Sequence, residues 1–146
     1  MKTVKLLTIF AVGGMIYGLI ELAWRGHTHI SMFVAGGICL LMIDLIARKY
    51  SHFGMLIQST VCAVMITAVE FAVGMVVNVW LGLDVWNYSG MPANIMGQVC
   101  PQFTVLWYFL SFPAMFLASR MKVVLFGEEP EKMQLLPRLN VRKVEL

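Results

Sequence analysis

Four long apolar stretches, separated by short polar ones, run through the chain, centred near Met15, Leu40, Ala68 and Phe109. A bilayer core about 30 Å thick needs roughly 20 apolar residues per helix, and each stretch is long enough. The first span covers about Val4 to Trp24, the second about Ile30 to Ala47, the third about Phe53 to Leu83 and the fourth about Val99 to Ser119. At about 1.5 Å per residue the third span exceeds the bilayer core, so it must tilt or project beyond the lipid. Within it Ala63, Thr67, Glu70, Gly74 and Asn78 recur at spacings of four and three, one small and polar stripe. Such a stripe is costly against lipid and should face the bundle interior or a partner subunit.

The breaks between spans carry their own signals. Gly14 and Gly18 form a small-xxx-small pair in span one, and Ala35, Gly36 and Gly37 lie in span two, where small residues let helix backbones approach. The segment from Leu83 to Gln98 has too much Gly, Pro, Asn and Ser for a continuous helix. Its Trp86, Tyr88, Met91, Ile95 and Met96 are too apolar for a solvated loop. It should fold over the mouth of the bundle as an ordered or re-entrant segment, with Trp80, Trp86 and Tyr88 in the aromatic belt. Pro101 suits the first turn of span four, and Pro113 should kink its interior. The expected fold is an all-α polytopic membrane protein with four transmembrane helices. Residues 1–121 form the transmembrane domain and 122–146 a cytoplasmic tail, partly helical at the interface.

Composition leaves no room for a soluble domain: of 146 residues 60% are apolar and 13% charged, the latter about half the share usual in soluble proteins. Charge changes the picture more. Ten of the eleven Lys and Arg residues fall on one side of the four-span topology, and only Arg25 lies on the other. Basic residues near span ends stay cytoplasmic, so both termini are expected in the cytoplasm, with the protein a multi-pass protein of the cell (inner) membrane. The net charge of +3 is therefore topological and not a nucleic-acid footprint; some basic residues can touch anionic lipid headgroups. The run from Leu6 to Ile20 leads into Glu21, Ala23, Trp24 and Arg25, not into a cleavage site, and reads as a retained span. Cys39, Cys62 and Cys100 have no metal or redox spacing and read as structural.

The in-span ionisable residues Glu21, Asp44 and Glu70 are functional candidates by default. Asp44, four residues before Arg48, reads as a helix-end ion pair. Glu21 and Arg25 share a helix face; an exposed pair at this spacing contributes only ~0.3–0.5 kcal/mol, too little to justify a carboxylate a turn inside lipid, which favours a wider network. Glu70 is either a buried polar clasp, bonded to Tyr17, Arg25, Asn94 or Trp86, or a proton or cation site. His27 and His29 with Glu21 make only a weak metal set, and no metal or cofactor is expected. No nucleophile–base arrangement is discernible, so no enzyme and no catalytic residue are expected either.

The succession Gly18-Leu-Ile-Glu21, Arg25-Gly26, the Gly pair of span two, Glu70, Trp86-Asn-Tyr-Ser89 and Asn94 to Gly97 resembles the ABC-transporter type IV (CmpB-like) membrane proteins and their four-span eukaryotic relatives. The resemblance covers roughly Gly14 to Leu117, and Asn87 stands where the family usually has Asp. It implies a permease-like component. The chain lacks a phosphate-cradling Gly-rich loop with Lys-Ser/Thr, so any ATPase must be a separate chain. Together these readings give a small permease- or channel-type protein, a homo-oligomer in the lipid bilayer. Glu21, Arg25 and Glu70 form one polar centre for an ion, proton or small solute, with Trp86, Asn87, Tyr88 and Asn94 beside it. The alternative is a non-transporting protein that holds a lipid, quinone or partner helix.

The topology makes the first testable prediction. A cysteine placed at position 29 should react with an impermeant label on intact cells and one at position 140 should not; labelling of position 140 without permeabilisation would overturn it.

Overall fold

The computed structural model of the protein describes residues 2–137; Arg138, Arg142, Lys143 and position 140, assigned above to the cytoplasmic tail, lie outside them. Four helices are long and apolar enough to cross a membrane, and no strand forms among the described residues, only an isolated bridge between Ile95 and Val99. Helix α1 spans Lys2–Arg25 and α2 Ile30–Lys49. Helix α3 spans Met55–Gly74 and continues as a π-helical stretch, Met75–Trp80. Helix α4 spans Pro101–Phe126, with Pro101 in its first turn and Pro113 inside it. One end of the bundle carries Lys5, Arg48 and Lys122 and is called the basic end; the other carries residues 26–29 and 81–100 and is called the loop end.

Helices α1 and α2 make the tightest contact, and glycine makes it possible. A Cβ on Gly13 would sit 2.6 Å from the Gly36 carbonyl oxygen, and one on Gly36 would sit 2.3 Å from Tyr17 Cβ. Gly37 lies under the Phe10 ring. The close pair is thus Gly13 with Gly36; Gly18, half of the pair expected from spacing, faces open space with nothing nearer than Thr28 Oγ1 at 3.8 Å. The stripe on α3 turns inward throughout. Thr67 meets Thr104 of α4 at 2.8 Å, Glu70 meets α1 and α4, and Gly74 and Asn78 meet the loop segment.

At the basic end the structure departs from the expected tail. Helix α4 runs past Ser119 to Phe126, so Lys122 is not a tail residue but a helical side chain only 2% exposed. It lies 2.6 Å from Asp44, which is also held by Arg48 at 3.0 Å, and it pairs with Glu131. Asp44 therefore keeps the expected helix-end partner Arg48 and adds a buried pair with Lys122, which Glu131 joins at the edge. After Gly127, in the left-handed conformation that ends α4, residues 128–137 contain no helix and return across the basic end. Carbonyls of Gln134 and Leu135 accept from the N–H groups of Met55 and Leu56 at 2.7 and 3.3 Å. They supply the partners that the first turn of a helix otherwise lacks. Gly54, at φ +78, passes so close to Leu136 that a Cβ would be 2.5 Å from its carbonyl carbon. Outside the spans, Lys5 beside Glu128 holds the Glu128 carboxyl below its usual range.

The third span is shorter than expected: it starts at Met55 after a 3₁₀ turn, Ser51–Phe53, and ends at Trp80. Its outermost part is π-helical, and Asn78 lies there with its side chain turned to the loop segment, accepting from Val85 N–H at 2.7 Å and donating to Gln98 at 2.9 Å.

The glycine contact supplies the second prediction. Gly36→Ala forces a methyl into Tyr17 and should destabilise the protein by about 1–3 kcal/mol, whereas Gly18→Ala should stay within about 0.5 kcal/mol of the wild type. Unfolding curves in mild detergent measure both; equal effects would show that α1 and α2 do not pack through Gly13 and Gly36.

Candidate functional site

Glu70 is 2% exposed, on the face of α3 that meets both α1 and α4. Its two carboxylate oxygens each accept one bond, from Tyr17 Oη of α1 at 2.5 Å and from Trp107 Nε1 of α4 at 2.9 Å. The two donor rings stack on each other with centroids 5.4 Å apart and planes 27° apart. A buried indole N–H can only donate, so it requires an acceptor, and an ionised carboxylate can only accept. The three side chains therefore bond one another directly and tie α1, α3 and α4 together. Tyr17 and Trp107 lie about two turns from the loop-end termini of their helices, so the clasp is nearer the loop end than the centre of α3 suggests.

Glu21 and Arg25 form a second group. Arg25 pairs with Glu21 one turn earlier on α1 and donates to the Val85 carbonyl at 2.7 Å, while Thr28 donates to the other Glu21 oxygen at 3.1 Å. Arg25 thereby pins the start of the loop segment to α1. The structure thus divides the expected three-residue centre: no bond joins Glu70 to Arg25, and of the expected Glu70 partners only Tyr17 makes contact. Arg25 is used by Glu21 and the loop, and Trp86 and Asn94 are used inside the loop.

Trp86, expected in the aromatic belt, is buried and donates to the Gln98 carbonyl at 2.9 Å. It fits because Gly74 has no side chain; a Cβ there would be 2.9 Å from the Trp86 ring. Asn87 Oδ1 accepts from the Ser89 N–H at 2.8 Å and from the Ser89 hydroxyl. Both are bonds a carboxylate would accept equally, so Asn in place of Asp keeps the turn without the charge. Asn94 donates to the carbonyls of Met91 and Ser89 and accepts from Gly97 N–H at 2.9 Å. Asn87 and Asn94 shape the loop. Tyr88 instead stacks on Phe103 of α4, centroids 4.7 Å apart, and reaches the bundle.

Two half-open cavities, each of about 290 Å³, lie along α1 and α4, the one towards the basic end walled by α2 and Ile66 of α3 as well. The one towards the basic end is apolar, lined by residues such as Gly13, Ile16, Leu40, Ile66 and Leu117. The one towards the loop end adds Glu21, Arg25, Trp24, Tyr88 and Phe103. They share Tyr17, Ile20 and Trp107 as a common wall. Glu70 lines neither; it sits behind the two rings. Trp107 was not among the residues singled out in the sequence. Its signal was available: an indole inside a span rather than at its end needs a buried acceptor, and Glu70 is the carboxylate in the facing stripe.

A model of the family described as "Putative ABC-transporter type IV" matches residues 6–136. The match extends beyond the Gly14–Leu117 segment and takes in most of the segment that returns across the basic end. No curated protein and no solved structure matches the chain.

The clasp supplies the third prediction. In Glu70→Gln the amide oxygen can accept from Trp107 while its NH₂ donates to the Tyr17 hydroxyl, so the fold should hold nearly unchanged. Glu70→Leu strands two buried donors at about 1–3 kcal/mol each. Detergent unfolding of both variants checks this, and a leucine variant as stable as the glutamine one would contradict the clasp.

Proposed function

The chain belongs to the ABC-transporter type IV family, and on that premise we propose that it is a small permease-type membrane protein whose route is the cleft between α1 and α4. The observation that carries the reading is the shared wall: two cavities along α1 and α4 that meet at Tyr17, Ile20 and Trp107, where the Tyr17 and Trp107 rings stack. Glu70 latches that wall by holding both rings through their donors. In this role Glu70 is a gate holder rather than a site that coordinates a hydrated ion, because it lines neither cavity and serves instead as acceptor for both rings. The apolar linings favour an apolar or amphiphilic solute over a free ion.

The proposed role is transport without catalysis. The distribution of basic residues supports placing both chain ends in the cytoplasm of a cell whose inner membrane holds the protein. An ATPase, in keeping with the family's name, would be a separate chain meeting the basic end, and the exposed apolar helix faces suit a homo-oligomer as well as lipid. A second reading is favoured by the same cleft: a dry polar clasp beside a lateral apolar cavity also suits a protein that holds a lipid or quinone without moving it.

The test is transbilayer movement of fluorescent single-chain amphiphiles in proteoliposomes. Ile20 lines both cavities and contributes nothing to the polar groups, so Ile20→Trp should stop movement while leaving the unfolding midpoint unchanged. Tyr17→Phe, which keeps the ring but releases it from Glu70, should increase leak through the wall. Movement by the Ile20 variant at the wild-type rate would exclude this cleft as the route. Binding without movement in the wild type would establish the second reading.

A further inference from the structure

The loop-end cavity has a feature that the apolar one lacks, an arginine with unused donors, and it shares Tyr17, Ile20 and Trp107 with that apolar cavity. A guanidinium has five N–H groups. Arg25 uses Nη1 for the Val85 carbonyl and Nη2 for Glu21, and its side chain remains 20% exposed while lining the cavity. Glu21, the opposite charge at the same place, has both oxygens engaged, one by Arg25 and one by Thr28. Each Glu21 oxygen already accepts one bond, whereas Arg25 keeps N–H donors beyond the two it uses, and these suit an anion. A planar guanidinium held on two sides presents its remaining N–H groups in a fixed direction, the geometry that favours phosphate and carboxylate oxygens.

Below this point the wall is aromatic and then aliphatic. From Arg25 to Gly13, the last α1 residue of the second cavity, helix α1 descends about 18 Å at about 1.5 Å per residue, with Ile20, Tyr17 and Ile16 along the way. We infer that the α1–α4 cleft takes a single-chain or lipid amphiphile with an anionic phosphate or carboxylate head, the head on Arg25 and the tail running past Ile20 towards Gly13. This rests on the cleft being the binding route, as proposed above, and specifies which chemistry it selects. The tail reaches the second cavity when the Tyr17–Trp107 wall opens; with the wall closed it fills the first. The rival is a cationic head held on the faces of Trp24, Tyr88 and Phe103, which would set a positive charge beside the Arg25 guanidinium that lines the same cavity.

The experiment compares dodecyl phosphate, dodecyltrimethylammonium and inorganic phosphate as ligands of the full chain in an uncharged detergent, with native mass spectrometry for bound ligand and intrinsic tryptophan fluorescence for affinity. Dodecyl phosphate should bind at least about tenfold more tightly than the ammonium amphiphile. Arg25→Gln should remove that preference, while Arg25→Lys, which keeps the charge but loses the fork, should retain part of it. Ile20→Trp should weaken both amphiphiles equally and leave the fold intact, which keeps the test valid should an Arg25 variant fail to fold. Inorganic phosphate should compete poorly, because it lacks the tail; full displacement by equimolar inorganic phosphate would show a free-anion site instead. Preference for the ammonium amphiphile, or no preference, would overturn the anionic head while leaving the cleft. Failure of every amphiphile to bind would overturn the cleft itself.

Discussion

A carboxylate inside a bilayer has to be given its hydrogen bonds by the protein, and that constraint organises this bundle. An acidic group at a span centre costs on the order of 2.5–3.5 kcal/mol even on insertion scales. Glu70 meets the requirement with two donors from two different helices, Tyr17 Oη and Trp107 Nε1. Left without this acceptor the two buried donors would each cost about 1–3 kcal/mol, so the carboxyl and its donors stabilise one another. Because the donors come from α1 and α4, satisfying Glu70 also draws together two helices that otherwise leave cavities between them. The polar group is tolerated because it joins the helices, and the joint closes the cleft.

The same rule operates at each end. At the basic end Asp44 and Lys122 are both nearly fully buried and hold each other at 2.6 Å, with Arg48 and Glu131 completing a set of two positive and two negative charges. Removing one member of a buried pair typically costs about 3–5 kcal/mol, so this cluster fixes α2, α4 and the returning segment as one unit. At the loop end Asn78, Trp86 and Gln98 bond across the segment between α3 and α4, and Arg25 ties its start to α1. Between the two ends α1 and α4 are joined by the Glu70 clasp and, nearer the basic end, by a buried cluster of Ile9, Leu40, Ala118 and Met121.

Much of the fold was legible because lipid imposes simple rules. Four apolar stretches set the four helices, and the stripe Ala63, Thr67, Glu70, Gly74 and Asn78 identified the inward face of α3 by spacing alone. The site was legible only in part. Glu21 with Arg25 and Glu70 with Tyr17 were readable, since charges in spans need partners. Their division into two groups was not, because it depends on which helices flank α3, and Trp107 is distant in sequence from Glu70. Lys122 was misplaced for a clear reason: a run of charge and proline after an apolar span ends the hydropathy signal before the helix itself ends. Of the spaced pair, Gly14 does pack against Phe33 of α2 while Gly18 does not, and Gly13 joins Gly36 instead, because spacing identifies a small-residue face without showing which neighbour each position meets. Asn87 and Asn94 looked like ligand groups, yet their polarity serves loop turns, where Asn side chains replace backbone partners.

The central claim is that the α1–α4 cleft is held shut by Glu70 through Tyr17 and Trp107. Spin labels at Leu19 and Phe109, exposed positions on α1 and α4, measure the separation of the two helices in lipid by pulsed electron resonance. The account requires one narrow distance distribution in the wild type and in Glu70→Gln, and a broader distribution extending to longer distances in Glu70→Leu. A leucine variant whose distribution matches the wild type would mean that something other than this carboxylate closes the cleft.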